Sequence, residues 1–218
     1  MALDYKGTFD ISFKMLETAH DPNQAKIRAY FFEKENEFFR KHIRNQKVLV
    51  AGSGLGHDSF ELARYNKQVI GIELHEPLVE IAKKRAQELG LKNVEFRGGD
   101  FTQLDYKDKS FDSAVLNMGT IGTLEDKVKA IKELLRIANL VYLDFYPPTQ
   151  TGLQIRKKMY EEEKWKNVRI NDTRIVSDDG LDSIPISKKE MSEIVNSINA
   201  RVKYYPLCDF AVMAEITV

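Results

Sequence analysis

The sequence predicts an α/β fold: a doubly wound, mostly parallel seven-stranded sheet with an antiparallel C-terminal strand pair and an N-terminal helical lid. Three observations lead there. Short apolar runs alternate with segments of helical spacing through residues 48–145, the order of a parallel sheet covered on both faces. The first apolar run passes into glycines at alternating positions, Gly52, Gly54 and Gly56, and then into a helical segment. Near the end, 201–205 and 210–218 read as strands separated only by 206–209, a connection short enough only for antiparallel neighbours.

Residues 1–46 read as the lid, with a short helix expected around 11–18. Asp21-Pro22 reads as the N-cap and first-turn proline of a helix over 22–44. Its Ile27, Phe31 and Phe38 form one apolar stripe and Phe32, Phe39 and Ile43 the adjacent one, together wide enough to bury one side. Tyr30 on this helix is a candidate ligand contact.

The core, 47–146, opens with strand 48–50, apolar enough to be buried on both faces. A helix over 58–65 follows, and strand 69–72 stops at Glu73. Helix 76–89 places Leu78, Ala82, Ala86 and Leu89 on one face and ends at Gly90. Strand 94–96 ends in Gly98-Gly99-Asp100-Phe101, and strand 111–116 in Asn117-Met118-Gly119-Thr120. Thr123 with Asp126 resembles a capping box and opens a helix whose Val128, Ile131, Leu134, Leu135 and Ala138 face inward. Strand 140–145 is closed by Tyr146-Pro147-Pro148.

In the C-terminal part, 147–218, a helix over about 153–166 carries Arg156-Lys157-Lys158, balanced by the acids at 161–163 and read as an exposed face. The polar insertion 167–186 reads as a loop or short hairpin. Ser187 with Glu190 forms a capping box for a helix bearing Met191, Ile194, Val195 and Ile198 on one face. No repeat or linker marks a second domain, so the 218 residues predict one.

Composition narrows the function. Lys plus Arg equals Asp plus Glu at 33 each, which argues against a nucleic-acid binder working through a broad basic face. The lone Cys208 predicts a half-buried thiol and a reducing, cytoplasmic setting. No run reaches the roughly 18 apolar residues of a membrane span, and the N-terminus lacks the plan of a signal peptide. His20, His42 and His75 show no metal-ligand spacing and His57 reads as a helix-start residue, so no metal is expected.

An open α/β sheet binds ligands beyond the carboxyl ends of its strands, where the connections reverse. The glycine turn, Glu73, Asp100, Asn117 and Tyr146 all fall at such ends. A strand turning on glycines into a helix is expected to leave free backbone N–H groups at the helix's positive end, suited to a nucleotide-like ligand or a carboxylate. A dinucleotide fingerprint needs G-x-G-x-x-G, and its third glycine position is His57 here. Glu73 can accept both hydroxyls of a ribose, and Asp100 an adenine amino group beside Phe101. The pattern favours one adenosine with a short polar tail, and disfavours an NAD-linked oxidoreductase.

On these residues the chain resembles the class I S-adenosylmethionine-dependent methyltransferases, from about Val48 to Tyr146 and with compatible topology to Val218. The resemblance implies S-adenosyl-L-methionine as cofactor. Its methionine end would meet Ala51, Gly52, Ser53, Gly54 and Gly56. Glu73 would hold the ribose with Leu74 packing near the adenine, and Asp100, with Gly99 and Phe101 adjacent, would meet the adenine amino group. Asn117 and Met118 would line the methionine side and the substrate entrance. In that family an acid usually stands two residues before the first motif glycine, where it helps orient the cofactor's amino end. Here that position is Val50, so the ammonium must find other partners, such as the Asn117 side chain or the carbonyls of Ala51 and Asn117. The implied reaction is in-line methyl transfer to N, O or S of a small molecule, with no firm catalytic residue and Tyr30 and Tyr146 as candidates for positioning. The alternatives are methylation of RNA or protein, or a module that holds the cofactor without turnover.

Overall fold

In a computed structural model of the chain, residues 17–218 are described; the helix expected around 11–18 lies mostly outside them, with 17–19 helical. The elements run α1 (Lys26–His42), β1 (Lys47–Ala51), α2 (His57–Ala63), β2 (Gln68–Glu73), α3 (Glu76–Glu88), β3 (Val94–Gly98), β4 (Phe111–Leu116), α4 (Thr120–Thr123), α5 (Lys127–Ile137), β5 (Ala138–Phe145) and α6 (Gln150–Glu162). Then follow β6 (Arg169–Asn171), β7 (Arg174–Val176), β8 (Asp182–Ser183), α7 (Lys188–Asn196), β9 (Arg201–Cys208) and β10 (Ala211–Thr217). Seven strands form one sheet in the order β3-β2-β1-β4-β5-β10-β9, and β6-β7-β8 form a small second sheet. The first five strands are parallel, and β10 lies antiparallel between β5 and β9. The order reverses between β1 and β4, which makes their carboxyl ends the topological switch point.

Alternation along the strands divides the core between the two faces. Leu49, Ala51, Ile70, Ile72, Ala114, Leu116 and Leu143 join Ile131 and Leu134 of α5 and Met191 and Val195 of α7. Val48, Val50, Val69, Val115 and Tyr142 join Phe31, Phe32, Phe38 and Phe39 of α1 and Met159 of α6. The lid helix is therefore built into the core by its aromatic stripes. It is also pinned to α6, whose Glu162 accepts the Ile27 N–H at 2.9 Å.

Several helix starts differ from the sequence expectation, each for a hydrogen-bonding reason. Asp21 does not cap α1: its Oδ1 accepts the Asn23 N–H at 2.9 Å and its carbonyl the Ala25 N–H, closing a separate turn around Pro22, and α1 begins at Lys26. Asp126, not Thr123, caps α5 by accepting the Lys129 N–H at 2.8 Å; Thr123 ends the short α4. Ala138 begins β5 instead of continuing α5. Thr149 caps α6, which starts before Leu153. Ser187 caps α7 as its pattern predicts, accepting the Glu190 N–H at 3.1 Å. The insertion is a hairpin with a third strand. Among the described residues, no helix is long and apolar enough to cross a membrane.

Candidate functional site

The structure carries the glycine turn, Glu73, Asp100, Asn117 and Tyr146 to one end of the sheet, beyond the carboxyl ends of β1 to β5. Gly54 has φ +50°, and a Cβ there would meet nothing within 4 Å, so open space lies above the turn. Gly56 has φ +88° and a different constraint: a Cβ would sit 2.6 Å from Phe60 and 2.7 Å from Phe96, so close packing of α2 onto the sheet also requires glycine.

The free N–H groups expected of the turn are in part occupied. Ser53 N–H donates to the Ile72 carbonyl at 2.9 Å and Gly56 N–H to the Ser53 carbonyl at 2.9 Å. Gly54 N–H donates to Glu73 Oε2 at 3.0 Å. The neighbouring strand β2 braces the turn, which leaves it less suited to cradling phosphates than its glycines suggest. Glu73, 8% exposed, also accepts the His75 N–H on Oε1 at 3.0 Å, with His75 Nδ1 3.1 Å away. A carboxylate has about four acceptor sites, so this one is fixed in place and retains capacity toward the open side.

The other predicted residues flank this pair. Leu74 is 62% exposed at the end of β2. The Phe101 ring lies 3.8 Å from where a Gly52 Cβ would be. Asp100 is exposed, and its Oδ1 accepts the Thr102 N–H at 2.8 Å, an Asx turn that orients the carboxylate. Gly99 N–H bonds back to the Glu73 carbonyl at 2.9 Å. Asn117 is 5% exposed, yet neither of its amide atoms makes a hydrogen bond of ordinary geometry, and the buried Ser53 Oγ is likewise without a partner. Met118 and Gly119 both adopt left-handed conformations, φ +60° and +65°; for Met118 this costs about 1 kcal/mol or more. The turn is held by Asp144, whose Oδ1 and Oδ2 both face the Gly119 N–H, at 3.0 and 3.2 Å.

Asp144 belongs to a group of acids that sequence reasoning did not reach. Glu35 of α1 and Asp144 of β5 are fully buried, and Asp58 in the first turn of α2 is half-buried. Both Glu35 oxygens lack partners. Burial pushes the Glu35 carboxyl well up, and Asp144 and Asp58 push it further. Burial raises Asp144 to about 7 against the opposing Gly119 N–H, and raises Asp58 against His57 and Asn117. Two signals were available in the sequence: Glu35 sits midway between Phe31 and Phe39, within the apolar face formed by the two stripes, and Asp144 interrupts the run Val141-Tyr142-Leu143 before Phe145.

Tyr146 is buried at this end, and its hydroxyl accepts from Arg28 Nη1 at 3.2 Å. Burial holds its phenol well above the usual range despite the pull of Arg28, so it is a wall and hydrogen-bonding group, not a ready base. Arg28 itself pairs with Glu163 at 2.7 Å, both 3% exposed. Arg156 corrects an expectation: it is 0% exposed, not part of a solvated face. Its guanidinium lies 4.5 Å from the Tyr146 ring centroid and Nη2 donates to Ser183 Oγ at 2.6 Å, so the β8 segment and the aromatic ring together bury it. Tyr30 is not brought to the glycine turn. It is 52% exposed and lines a cleft of about 220 Å³ with Lys26, Ile27, Ile155, Asp209 and Phe210. His57 starts α2 and its ring stacks 4.6 Å from His20.

Open space above Gly54, a fixed carboxylate at Glu73 and hydrogen-bonding capacity left on Asn117 fit an adenosine ligand with a polar tail. Comparisons with known proteins point the same way. The family model described as "Methyltransferase domain" matches residues 42–197. The uncharacterized methyltransferase YcgJ of Bacillus subtilis is 31% identical over 106 residues, 47% of this chain and 42% of that protein; this chain thus spans less than half of that relative's length. A 23S rRNA (uracil(1939)-C(5))-methyltransferase of Vesicomyosocius okutanii is 31% identical over 110 residues, 48% of this chain and 25% of that one. Among solved structures, magnesium protoporphyrin IX methyltransferase from Synechocystis PCC 6803, with bound SAH, aligns with TM-score 0.68 at 19% identity, covering 98% of this chain and 96% of that one. The likeness extends through the closing strand pair. With more than half of its length matched by the family model, the chain belongs to the methyltransferase-domain family, with the class I Rossmann-like fold.

Proposed function

We propose that this chain is an S-adenosyl-L-methionine-dependent methyltransferase acting on a small molecule in a reducing, cytoplasmic setting. The observation that carries the reading is the Glu73–Gly54 bridge beneath open space. One carboxylate fixes the glycine turn and keeps acceptor capacity for ribose hydroxyls, while the N–H groups a pyrophosphate would need are partly occupied. Glu73 holds the ribose. Asp100, Phe101, Leu74 and Gly99 frame the adenine, and Ala51, Gly52, Ser53, Gly54, Gly56, Asn117 and Met118 take the tail. The cofactor brings a methyl group already activated by its sulfonium charge. The chain's own residues supply alignment and exclusion of water. Tyr146, fixed by Arg28 and Arg156, is a rigid wall on the acceptor side.

The acceptor class rests on the cover over this end. Helices α1 and α6 and the 167–186 insertion bury Tyr146 and Arg156, which favours a small acceptor over an extended RNA or polypeptide. That the Synechocystis neighbour is named for a porphyrin supports the same class; the rRNA-methylating relative favours the other. Incubation with methyl-labelled S-adenosylmethionine and panels of amines, phenols and thiols, beside RNA and polypeptide, tests the choice. Label is expected in the small-molecule fraction; label in RNA or polypeptide overturns it.

A further inference from the structure

We propose that Asp58, with Asn117 beside it and Asp144 and Glu35 behind, receives the cofactor's α-ammonium group, in place of the acid that Val50 lacks. The proposal rests on the reading of the site given above and adds where its cation is held.

Strand order acts as a ruler across the site. The adenine end lies after β3 at Asp100, the ribose at the end of β2, and the glycine turn at the end of β1. A tail continuing in that direction meets β4 and then β5. The register pairs Ala51 with Leu116 and Leu116 with Leu143, so the next positions bring Gly52, Asn117 and Asp144 side by side. Asn117 lies against Asp58, close enough to favour its ionised form. Buried polar atoms in native proteins nearly always find partners; here both Glu35 oxygens have none, and neither Asn117 amide atom makes a hydrogen bond of ordinary geometry. Glu35 is acted on by Asp144 and Asp58, and Asn117 lies against the same Asp58, so the unmet polar capacity of these residues points to a missing polar group.

Charge identifies that group. The ionisable groups facing the cluster are Arg28 and Glu35 from α1, His57 and Asp58 from α2, Asp144 and Tyr146 from β5 and the residue after it, and Cys208 from β9. The permanent cation among them, Arg28, is engaged by Glu163. The three acids thus share a poorly solvated space whose nearby permanent cation is already paired, an arrangement that favours their protonated forms until a further cation arrives. Among the described residues, no group of three or more His, Cys, Asp or Glu side chains is placed to hold a metal ion. An organic ammonium, whose N–H donors point in several directions, matches acceptors contributed by separate elements. Its binding ionises an acid of the cluster, and the proton leaves to solvent.

Two nucleoside probes separate the tail from the rest of the ligand. S-adenosylhomocysteine carries the ammonium; 5′-methylthioadenosine carries the same adenosine and a thioether without the amino-acid tail. Calorimetric titrations of wild type, Asp58→Asn, Asp144→Asn and Glu35→Gln at pH 7.5 would be run in two buffers of different ionisation enthalpy. Asp58→Asn should weaken S-adenosylhomocysteine by about 10- to 100-fold, the range of a hydrogen bond to a charged group. Methylthioadenosine should change less than about twofold, which also shows that the variant is folded. Wild type should release protons on binding S-adenosylhomocysteine and none on binding methylthioadenosine, and Asp144→Asn and Glu35→Gln should diminish that release. Unchanged S-adenosylhomocysteine affinity in Asp58→Asn, or equal losses for both probes, overturns the proposal. Failure of wild type to bind either probe removes the cofactor reading as well.

Discussion

The two halves of the site, on either side of the β1–β4 reversal, are built on opposite terms. On the β1–β3 side the carboxylate and the backbone donors of the turn are matched: Glu73 binds the Gly54 and His75 N–H groups, Ser53 N–H reaches Ile72, and Gly99 N–H reaches Glu73. On the β4–β5 side Glu35 is buried without a partner, Asn117 makes no hydrogen bond of ordinary geometry, Met118 is held at φ +60°, and Asp144 shares its surroundings with Asp58 and Glu35. A satisfied half is a rigid template that holds its shape without ligand. A frustrated half stores free energy that a ligand with the right charge can recover. The contrast assigns shape recognition to the first and charge recognition to the second.

The largest effect is expected where the matched half is broken. Glu73→Ala leaves the Gly54 and His75 N–H groups without their acceptor and removes the ribose partner. S-adenosylhomocysteine affinity should fall by about 100-fold or more, and stability by roughly 1–3 kcal/mol, read by calorimetry and urea unfolding.

Removing a charge from the frustrated half should instead stabilise. Asp144 has its carboxyl raised from 3.8 to about 7 by burial, so the native state holds a proton that the unfolded chain releases above pH 4. Its contribution is intact below about pH 4 and declines as pH rises to about 7. Asp144→Asn, which keeps an oxygen for the Gly119 N–H, should therefore stabilise the protein at pH 8 by as much as ~2–4 kcal/mol and have little effect at pH 4. Urea melts across that range check the sign.

His20, stacked on Phe32 and His57 at 4.9 and 4.6 Å, moves the other way. Burial, then His57, lowers it to about 3. The unfolded chain takes up a proton below pH 6.5 that the native state refuses, so its stability contribution is lost as pH falls from 6.5 toward 3. His20→Phe should lessen the destabilisation seen at pH 5 by roughly 2 kcal/mol. The smallest change to the fold is Gly54→Ala. At φ +50° with nothing within 4 Å, it should cost only about 1 kcal/mol, yet weaken nucleoside binding by placing a methyl group in the open space; paired melts and titrations separate the two.

The matched half was legible in the sequence because its signals are local. Alternation, the glycine spacing and the acid ending β2 each sit within a few residues of the groups they serve. Helix starts were legible where one side chain decided them, as at Ser187, and misread where Thr123 and Asp126 competed for one cap. The frustrated half depends on register. Glu35 and Asp144 are single polar interruptions in apolar patterns, and only the packing of α1 against the sheet brings them toward Asp58. Arg156 shows the same limit: its neighbours in sequence are Lys157 and Lys158, but Tyr146 and Ser183 decide its burial.

The central claim, that the Glu73-braced turn holds an S-adenosyl nucleoside, is tested most directly by parallel calorimetric titration with S-adenosylmethionine, S-adenosylhomocysteine and NAD. Saturable binding of the first two, lost in Glu73→Ala and absent for NAD, is the predicted result. Tight NAD binding with no response to either S-adenosyl compound would contradict it.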